Sequence, residues 1–440
     1  MGQEQVQPSA KSIKEDYSYL ASESAQQKAS GNPLHAWQKH LLAKILHAFG
    51  DPPVNVMLWN GLEIPSRRGN GVARVFIRDF GALLKLAFDH ELYFGELYSD
   101  QRVEVEGKLL DFLEAVFRVW QFPTQEKVGK RLLSHLYDAR RNTLIGSRRN
   151  IQHHYDIGND FYKLWLDERM LYTCAYFPSP NTRLEDAQLA KMDHVSRKLR
   201  LQPGETVVEA GCGWGALAMH MAKHYGVKVR AYNISKEQVA YARERARNEG
   251  LDGQVEFIED DYRNVDGKFD VFVSVGMLEH VGTENYSGLG TVIDRCLKDD
   301  GRGLIHTIGM NYPRPMDAWA ERHIFPGANP PSLAQMMQIF EPYDFSVLDV
   351  ENLRLHYAKT LEHWLDRFEE KRDEVRDMFD EKFVRMWRLY LAGSLTTFKT
   401  GDLQLFQVSF ARADNNRIPW TRQYMYQPDQ SSSGAADGKL

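Results

Sequence analysis

A strand that ends in three closely spaced glycines constrains this chain more than any other feature. Residues 206–215 read TVVEAGCGWG, in which an apolar run ends at Glu209 and is followed by Gly211, Gly213 and Gly215. Glycine accepts positive φ angles and lets backbone N–H groups and a helix N-terminus approach a ligand closely. We therefore predict a strand, a tight turn that holds a ligand, and a helix. A glycine turn without a ligand is the weaker hypothesis, because three glycines after a strand destabilise the fold.

The spacing of these glycines distinguishes between ligands. Dinucleotide-binding folds seat a pyrophosphate on G-x-G-x-x-G, whereas this chain has G-x-G-x-G with a carboxylate two residues before the first glycine. The arrangement favours a ligand that carries a cation and a hydroxylated sugar. S-adenosylmethionine fits that description, and the pattern resembles the first motif of the class I methyltransferases. An NAD-dependent dehydrogenase is a remoter alternative, because Asn233 stands where such enzymes carry an acid after the second strand.

Strands alternate with helical stretches after the turn, which predicts the fold class. β-branched strands alternating with helices indicate βαβ units and a mostly parallel sheet, so we expect an α/β, class I methyltransferase-like Rossmann-type fold. The predicted strands span 227–233, 255–259, 269–275, 303–308, 345–350 and 403–410, with a charged helix over 236–249. Two later stretches, about 359–379 and 380–398, predict a helical lid. Their aromatic residues, which suit core packing or an apolar pocket wall, are Trp364, Phe368, Phe379, Phe383, Trp387 and Tyr390.

Composition divides the 440 residues into five predicted parts. They are a flexible N-terminal segment (1–32), a small N-terminal α+β domain (33–122), a basic linker (123–152), the catalytic domain (153–412) and a flexible tail (425–440). Within the small domain, alternation predicts strands at 54–58, 73–77 and 103–105 and a helix at 80–88. The linker mixes apolar residues with a basic run, which suits anionic headgroups or a solvated linker helix. That run consists of Lys127, Lys130, Arg131, Arg140, Arg141, Arg148 and Arg149.

Bulk properties exclude several classes of protein. A net charge of −5 argues against a nucleic-acid partner, since phosphate contact needs a basic surface. Cys174, Cys212 and Cys296 show no C-x-x-C spacing, so neither a metal site nor a disulfide framework is indicated. The sequence contains no signal-peptide pattern and no run of about 18 apolar residues. We therefore expect a cytoplasmic protein without a transmembrane helix.

Several segments, taken in order, resemble one family. They are HHYDIGND (153–160), YTCAYF (172–177), CGWG (212–215), SVGMLEHV (274–281) and HTI (306–308). Together they resemble the cyclopropane fatty acyl phospholipid synthases, which belong to the S-adenosylmethionine-dependent class I methyltransferase superfamily. A weaker likeness to the extra domain of the bacterial synthases covers ELY (96–98) and VEVEG (103–107).

The resemblance implies a reaction and a set of catalytic residues. In this family the double bond of an unsaturated phospholipid acyl chain attacks the methyl group of S-adenosylmethionine, and a bound bicarbonate then removes a proton so that the ring closes. An alkene is a poor nucleophile, so the reaction needs a dry pocket whose electrostatics favour a cation. The residues that match the family's bicarbonate holders are Cys174, Glu279, His306, the backbone of Ile308, and Tyr357. Taken alone, Cys174 is more often a small buried hydrophobe, and His306 could be a core histidine with its hydrogen bonds satisfied.

The resemblance also implies the cofactor site. Glu209 would face the amino group of the methionine moiety, Asn233 or Gln238 the ribose, and Asp261 with Tyr262 the adenine. Glutamate stands at position 209 where aspartate is common. The full set of expected cofactor residues is Tyr172, Thr173, Glu209, Gly211, Cys212, Gly213, Trp214, Gly215, Leu217, Asn233, Ile234, Ser235, Gln238, Asp261 and Tyr262.

Partners and alternatives complete the expectation. The resemblance implies an unsaturated phospholipid at the membrane surface as substrate, peripheral association with the inner face of the cell membrane, and a homodimer. One alternative is a lipid methyltransferase whose product is a methyl-branched or methylene acyl chain. Another is an inactive lipid-binding or scaffold protein on a methyltransferase-like fold.

Overall fold

The computed structural model describes residues 36–120 and 157–426, which form two compact units. Residues 379–396 belong to the N-terminal unit, and the other described residues from 157 onward form the second. The predicted flexible segment 1–32 and the basic linker 123–152 lie outside the described residues, as does nearly all of the tail. The domain bounds 33–122 and 153–412 stay predictions.

The N-terminal unit is built on a small mixed sheet. Its strands are β1 (Asn55–Leu58), β2 (Glu63–Ile64), β3 (Arg74–Ile77) and β4 (Val103–Glu106), in the order β2-β1-β3-β4. Every second residue of β1 and β3 is buried, so one face of the sheet is apolar. The accompanying helices are α1 (Ala36–Ala48), α2 (Phe80–Phe88), α3 (His90–Ser99) and α4 (Leu109–Val119). The predicted small α+β fold is confirmed.

The second unit contains a seven-stranded sheet in the order β10-β11-β9-β8-β5-β6-β7. Strands β5 to β9 pair in parallel, and β11 is antiparallel to both of its neighbours. The bounds are β5 (Thr206–Ala210), β6 (Lys228–Asn233), β7 (Val255–Glu259), β8 (Phe269–Val275), β9 (Leu297–Gly309), β10 (Phe345–Asn352) and β11 (Gln404–Arg412). This is the mostly parallel α/β sheet expected from the sequence.

Helices pack on both faces of this sheet. The helices of the second unit are α5 (Asn159–Lys163), α6 (Leu184–Lys198), α7 (Ala216–Tyr225), α8 (Lys236–Asn248), α9 (Tyr286–Cys296), α10 (Ala318–His323), α11 (Leu333–Phe340), α12 (Arg354–Glu370) and α13 (Arg372–Met378). Alternate residues of β5 enter opposite cores: Val207 packs with α6, α7 and α8, and Val208 packs with α9 and α11. Both faces are therefore buried, which explains the continuous apolar runs of the central strands.

The long helix α14 (Glu381–Thr400) begins in the N-terminal unit and ends in the second. Inside the N-terminal unit, the Arg385 guanidinium lies over the ring of Tyr98 at 4.2 Å and donates to that residue's carbonyl. The rings of Phe379, Phe383 and Trp387 stack in a row. Three of the aromatic residues that the sequence associates with a lid or a pocket wall thus form a row within the N-terminal unit.

Candidate active site

The glycine turn begins directly after β5 and leads into α7. Gly211, Gly213 and Gly215 have φ angles of +84°, +52° and +82°, in the left-handed region that favours glycine. A Cβ atom on Gly215 would lie 2.5 Å from the ring of Phe257, so this position allows α7 to approach the sheet. A Cβ atom on Gly213 would meet no protein atom within 4 Å. The middle glycine therefore faces open space, as a ligand cradle requires.

A cleft opens beside this turn, at the carboxyl ends of the strands. Ligands bind at this edge in open α/β sheets. Five of the predicted cofactor residues line it, namely Gly211, Asn233, Ile234, Asp261 and Tyr262. Other lining residues include Met277, His280 and Val281. The cleft thus brings together residues that follow β5, β6, β7 and β8.

Short hydrogen bonds organise the wall of the cleft that follows β6. Nδ2 of Asn233 donates to Oε1 of Gln238 at 2.8 Å and to the carbonyl of Gly213 at 3.2 Å. Ser235 caps α8, since its hydroxyl accepts from the N–H of Gln238. The predicted ribose residues are therefore tied to the glycine turn.

The Asp261 carboxylate is already engaged within the protein. Its Oδ1 and Oδ2 accept from the Arg263 guanidinium at 2.8 Å and 2.9 Å. The same guanidinium lies over the ring of Tyr262. Asp261 therefore holds Arg263 at the cleft, a relationship that the sequence did not reveal.

Glu209 is a buried carboxyl at the end of β5, next to the glycine turn. Its Oε2 has no hydrogen-bond partner among the residues that the structure describes. Burial raises the pKa of Glu209 to about 8, against the opposing effect of the Lys191 ammonium. A buried acceptor without a partner is costly, so this oxygen is suited to a cationic group of a ligand.

The other predicted cofactor side chains take different positions. Tyr172 lies in an aromatic cluster, with ring centroids 5.4 Å from Trp165 and 5.3 Å from Trp364. Trp214 donates from Nε1 to Oδ1 of Asn159 at 2.7 Å. The side chains of Cys212 and Leu217 pack in the hydrophobic core and do not line the cleft.

Glu279 and Ile308 meet next to this cleft. Glu279 follows β8 in a short 3₁₀ turn (Leu278–His280), and its Oε1 accepts a 2.5 Å hydrogen bond from the Ile308 N–H. Oε2 of Glu279 has no partner within the described part of the chain. Burial raises the pKa of Glu279 to about 7. The neighbours Met277, His280 and Val281 line the cofactor cleft, so the two groups of predicted residues adjoin.

His306 on β9 is held in its neutral form. Its partner is Gln407 in β11, whose amide Nε2 lies 3.0 Å from Nδ1 of His306. The Gln407 amide can donate to Nδ1 when the imidazole carries its proton on Nε2. Burial lowers the pKa of His306 to about 3, with a further effect from the Lys191 charge.

Cys174 and Tyr357 are linked through α12. The backbone N–H of Ala175 donates to Oγ1 of Thr360 at 3.0 Å, one turn after Tyr357. Burial raises the pKa of the Cys174 thiol well above its ordinary value, so the group stays a thiol and donates to the Ala175 carbonyl. Tyr357 packs its ring against Phe398 at 4.6 Å.

Lys191 is the main residue of this region that the sequence analysis missed. It lies on α6 with 1% of its surface exposed, and its Nζ donates to Oγ1 of Thr173 at 2.7 Å. The sequence contained a signal for this. Lys191 lies three residues after Gln188 and four before Val195, so the three share one face of α6, and that face is buried. A lysine on such a face is rarely buried without a partner.

Comparisons with known proteins agree with this geometry. The sequence model of the family described as mycolic acid cyclopropane synthetase matches residues 143–408, more than half of the chain. The chain belongs to this family. It is 38% identical over 372 residues to the cyclopropane-fatty-acyl-phospholipid synthase of Escherichia coli K12, covering 81% of this chain and 94% of that protein. A probable fatty acid methyltransferase of Pseudomonas putida is 34% identical over 387 residues, with coverage of 85% and 96%.

Solved structures of the cyclopropane synthase family share the fold. The cyclopropane synthase MmaA2 from Mycobacterium tuberculosis superposes with a TM-score of 0.58 at 28% identity, over 60% of this chain and 98% of that one. The mycolic acid cyclopropane synthase CmaA1, solved with SAH and CTAB, gives 0.57 at 31% identity over the same shares. The predicted family, fold and enzyme class are confirmed. The chain is an S-adenosylmethionine-dependent enzyme that modifies lipid acyl chains, and the dehydrogenase alternative is discarded.

Proposed function

We propose that this enzyme converts the cis double bond of unsaturated acyl chains in membrane phospholipids into a cyclopropane ring. The observation that carries the proposal is the buried Glu279–Ile308 pair beside the cofactor cleft. Attack by an alkene needs a buried base beside the methyl donor, because a proton must leave the new methyl group after the alkene has reacted.

The cleft fits S-adenosylmethionine, which supplies an electrophilic methyl carbon. Two observations support the fit. The Gly213 position is open, and Oε2 of Glu209 is a buried acceptor without a partner among the described residues. We assign the methionine ammonium to Glu209. Residues 233–238 and the Asp261–Tyr262 pair would hold the nucleoside.

The second group of residues fits a small anionic base such as bicarbonate. His306 is neutral and Cys174 keeps its thiol proton, so neither side chain adds charge to the site. The imidazole N–H would donate to the anion, and the thiol would do so in exchange for its hydrogen bond to the Ala175 carbonyl. Oε2 of Glu279 is free to accept the hydroxyl of the anion. With a protonated thiol, Cys174 is also a poor nucleophile towards a neighbouring carbocation. The Ile308 backbone would orient Glu279, and the Tyr357 hydroxyl would complete the site.

Aromatic side chains would keep the reaction dry and favour positive charge. Tyr162, Trp165, Tyr172 and Trp364 form one cluster whose ring centroids lie 5.3–5.7 Å apart. An aromatic face stabilises a nearby cation by about 0.5–2 kcal/mol without forming a covalent bond. These rings would therefore lower the energy of the carbocation and exclude water that could trap it.

A second candidate is a lipid methyltransferase that forms a methyl-branched or methylene product. It is favoured by the relative from Pseudomonas putida, which is named a probable fatty acid methyltransferase and is matched over 96% of its length. This candidate shares the cofactor site and the attack by the alkene. A methylene product differs from the ring in how the carbocation loses its proton, and a saturated methyl branch would also require a hydride donor.

Product analysis separates these candidates. The enzyme is incubated with S-adenosylmethionine and vesicles of a phospholipid with cis-monounsaturated chains, and the fatty esters are examined by mass spectrometry and proton NMR. We expect a gain of one CH₂ unit together with upfield cyclopropyl protons. A gain in mass with methyl-branch or exomethylene signals would support the second candidate. An inactive scaffold would give no product and would not bind the cofactor in calorimetry.

The membrane location and assembly of the enzyme belong to the same proposal. Within residues 36–120 and 157–426, no helix has both the length and the hydropathy needed to cross a bilayer. We propose a cytoplasmic homodimer that attaches to the inner face of the membrane and takes up the acyl chain from there. Sedimentation with vesicles tests the attachment, and light scattering tests the dimer.

A further inference from the structure

A buried lysine, Lys191, contacts one of the expected cofactor residues. The Lys191 ammonium donates to the Thr173 hydroxyl at 2.7 Å, and on the same helix Gln188 donates from Nε2 to the Thr173 carbonyl at 3.0 Å. Both the side chain and the backbone of Thr173 are thus held from α6. The next residue along the chain is Cys174, so Thr173 stands where the cofactor residues meet the proposed base site.

These contacts determine what the Thr173 hydroxyl can do. An ammonium group has donors only, so Oγ1 of Thr173 must accept from Lys191, and its own proton remains available for another acceptor. The methyl group of Thr173 faces Gly276, where an added Cβ would come within 2.9 Å of Cγ2. The Thr173 side chain therefore lies between α6 and Gly276, with its hydroxyl proton available to another acceptor.

The charge of Lys191 is opposed by that of Glu209. The Lys191 ammonium counteracts the effect of burial on the pKa of Glu209. Burial lowers the pKa of Lys191 itself to about 8, whereas Asp167, Cys174 and Glu209 act to raise it. The protein thus buries a cation that contacts Thr173 and a carboxyl that precedes the glycine turn, and the two are near enough to affect each other's ionisation. That arrangement is complementary to a zwitterion.

We propose that Lys191 is a positioning residue for the amino-acid end of S-adenosylmethionine. It directs the Thr173 hydroxyl towards the α-carboxylate and supplies a positive charge near that carboxylate, while Glu209 accepts from the α-ammonium. The inference rests on the assignment of Thr173 and Glu209 to the cofactor site. It does not depend on which lipid product is formed.

Two ligands test this inference. S-adenosylhomocysteine carries the α-carboxylate and the α-ammonium, whereas 5′-methylthioadenosine has the same nucleoside and a thioether but neither charged group. Calorimetry with Lys191→Met should show S-adenosylhomocysteine binding about ten- to a hundred-fold more weakly than to the wild type, the usual loss for a charged hydrogen bond. Affinity for 5′-methylthioadenosine should stay within about two-fold. Lys191→Arg should recover part of the loss.

Control variants keep the inference falsifiable. Lys198→Met removes another buried lysine of the same helix, one paired with Glu351, and should not weaken S-adenosylhomocysteine selectively. If Lys191→Met does not fold, Thr173→Val provides the test, since it keeps the lysine and removes the hydroxyl, and the same selective loss is expected. An equal loss for both ligands would show that Lys191 only supports the fold, and no loss for either would remove it from the site. Both outcomes overturn the proposal whatever product analysis shows.

Discussion

The backbone N–H of Ile308 donates a 2.5 Å hydrogen bond to Oε1 of Glu279, although 29 positions separate the two residues. Strands β8 and β9 are parallel neighbours, so their carboxyl ends place the two groups together. The bond satisfies one oxygen of a buried carboxyl and leaves the other without a partner in the described structure. A carboxyl in this setting should affect both stability and catalysis.

Replacement of Glu279 by Gln should change how stability depends on pH. The pKa of this carboxyl is raised from 4.5 to about 7, so folding favours its protonated form. As pH rises from about 4.5 through about 7, the wild type should lose stability on the order of 3 kcal/mol from this group, whereas Glu279→Gln should not. Thermal unfolding at about pH 5 and about pH 8 measures this. If the wild type and Glu279→Gln differed in stability by the same amount at both pH values, the prediction would be contradicted.

Loss of the Cys174 thiol should lower turnover and leave cofactor binding intact. Cys174→Ala and Glu279→Gln remove groups of the proposed base site, so each should reduce turnover by about 100-fold or more. Affinity for S-adenosylhomocysteine should change no more than a few-fold. Cys296→Ala is the matched control, because Cys296 is a free cysteine at the end of α9, buried in the hydrophobic core. Turnover of this variant should stay near the wild-type value. Cofactor affinity falling as far as turnover would show that the roles are misassigned.

Removal of bicarbonate should slow the enzyme. If the anion is the base, the rate should fall in buffer from which carbonate has been rigorously removed and should recover when bicarbonate is added. Glu279→Gln should respond less to added bicarbonate, because its oxygen acceptor is replaced by an amide donor. Unchanged wild-type rates without carbonate would assign proton removal to a protein side chain, with His306 or Glu279 the first to examine.

Alanine at two positions of the glycine turn should have different effects. A Cβ on Gly215 would clash with Phe257, so Gly215→Ala should destabilise the fold by about 1–3 kcal/mol from overpacking, in addition to the cost of its positive φ. Gly213→Ala has only the positive φ to accommodate, about 1–2 kcal/mol, but places a methyl group in the cradle. It should therefore lose cofactor affinity more than stability. Denaturant titration measures the stability of each variant, and calorimetry measures its cofactor affinity. Equal stability losses in the two variants would refute the assignment of Gly215 to packing and Gly213 to the ligand cradle.

The basic linker should contribute to membrane attachment. Its arginines lie outside the described residues, so this prediction comes from the sequence alone. Changing Arg140, Arg141, Arg148 and Arg149 together to Gln should weaken sedimentation with anionic vesicles at low salt, since each basic residue near the surface contributes about 1 kcal/mol. Changing the same four to Lys keeps the charge and should preserve binding. Equal binding by the wild type and the Gln variant would exclude this region from the docking surface.

Local features of the chain were readable from its sequence. Strands 255–259 and 269–275 were predicted with the bounds that the structure shows, because an alternating pattern and a short, nearly continuous apolar run both indicate a strand. The glycine turn was also predictable, since positive φ angles at successive positions require glycine wherever the chain folds. The family motifs added the expected reaction and its candidate residues.

Only the tertiary structure decided which of these residues meet. The Glu279–Ile308 bond depends on strand order, the Lys191–Thr173 bond on the depth at which α6 packs, and the place of residues 379–396 on contacts with the N-terminal unit. The sequence determined the turn, the strands and the family, because each of these follows from neighbouring residues. Contacts between distant residues, and the pKa shifts that burial produces there, arise only when the sheet and its helices pack together.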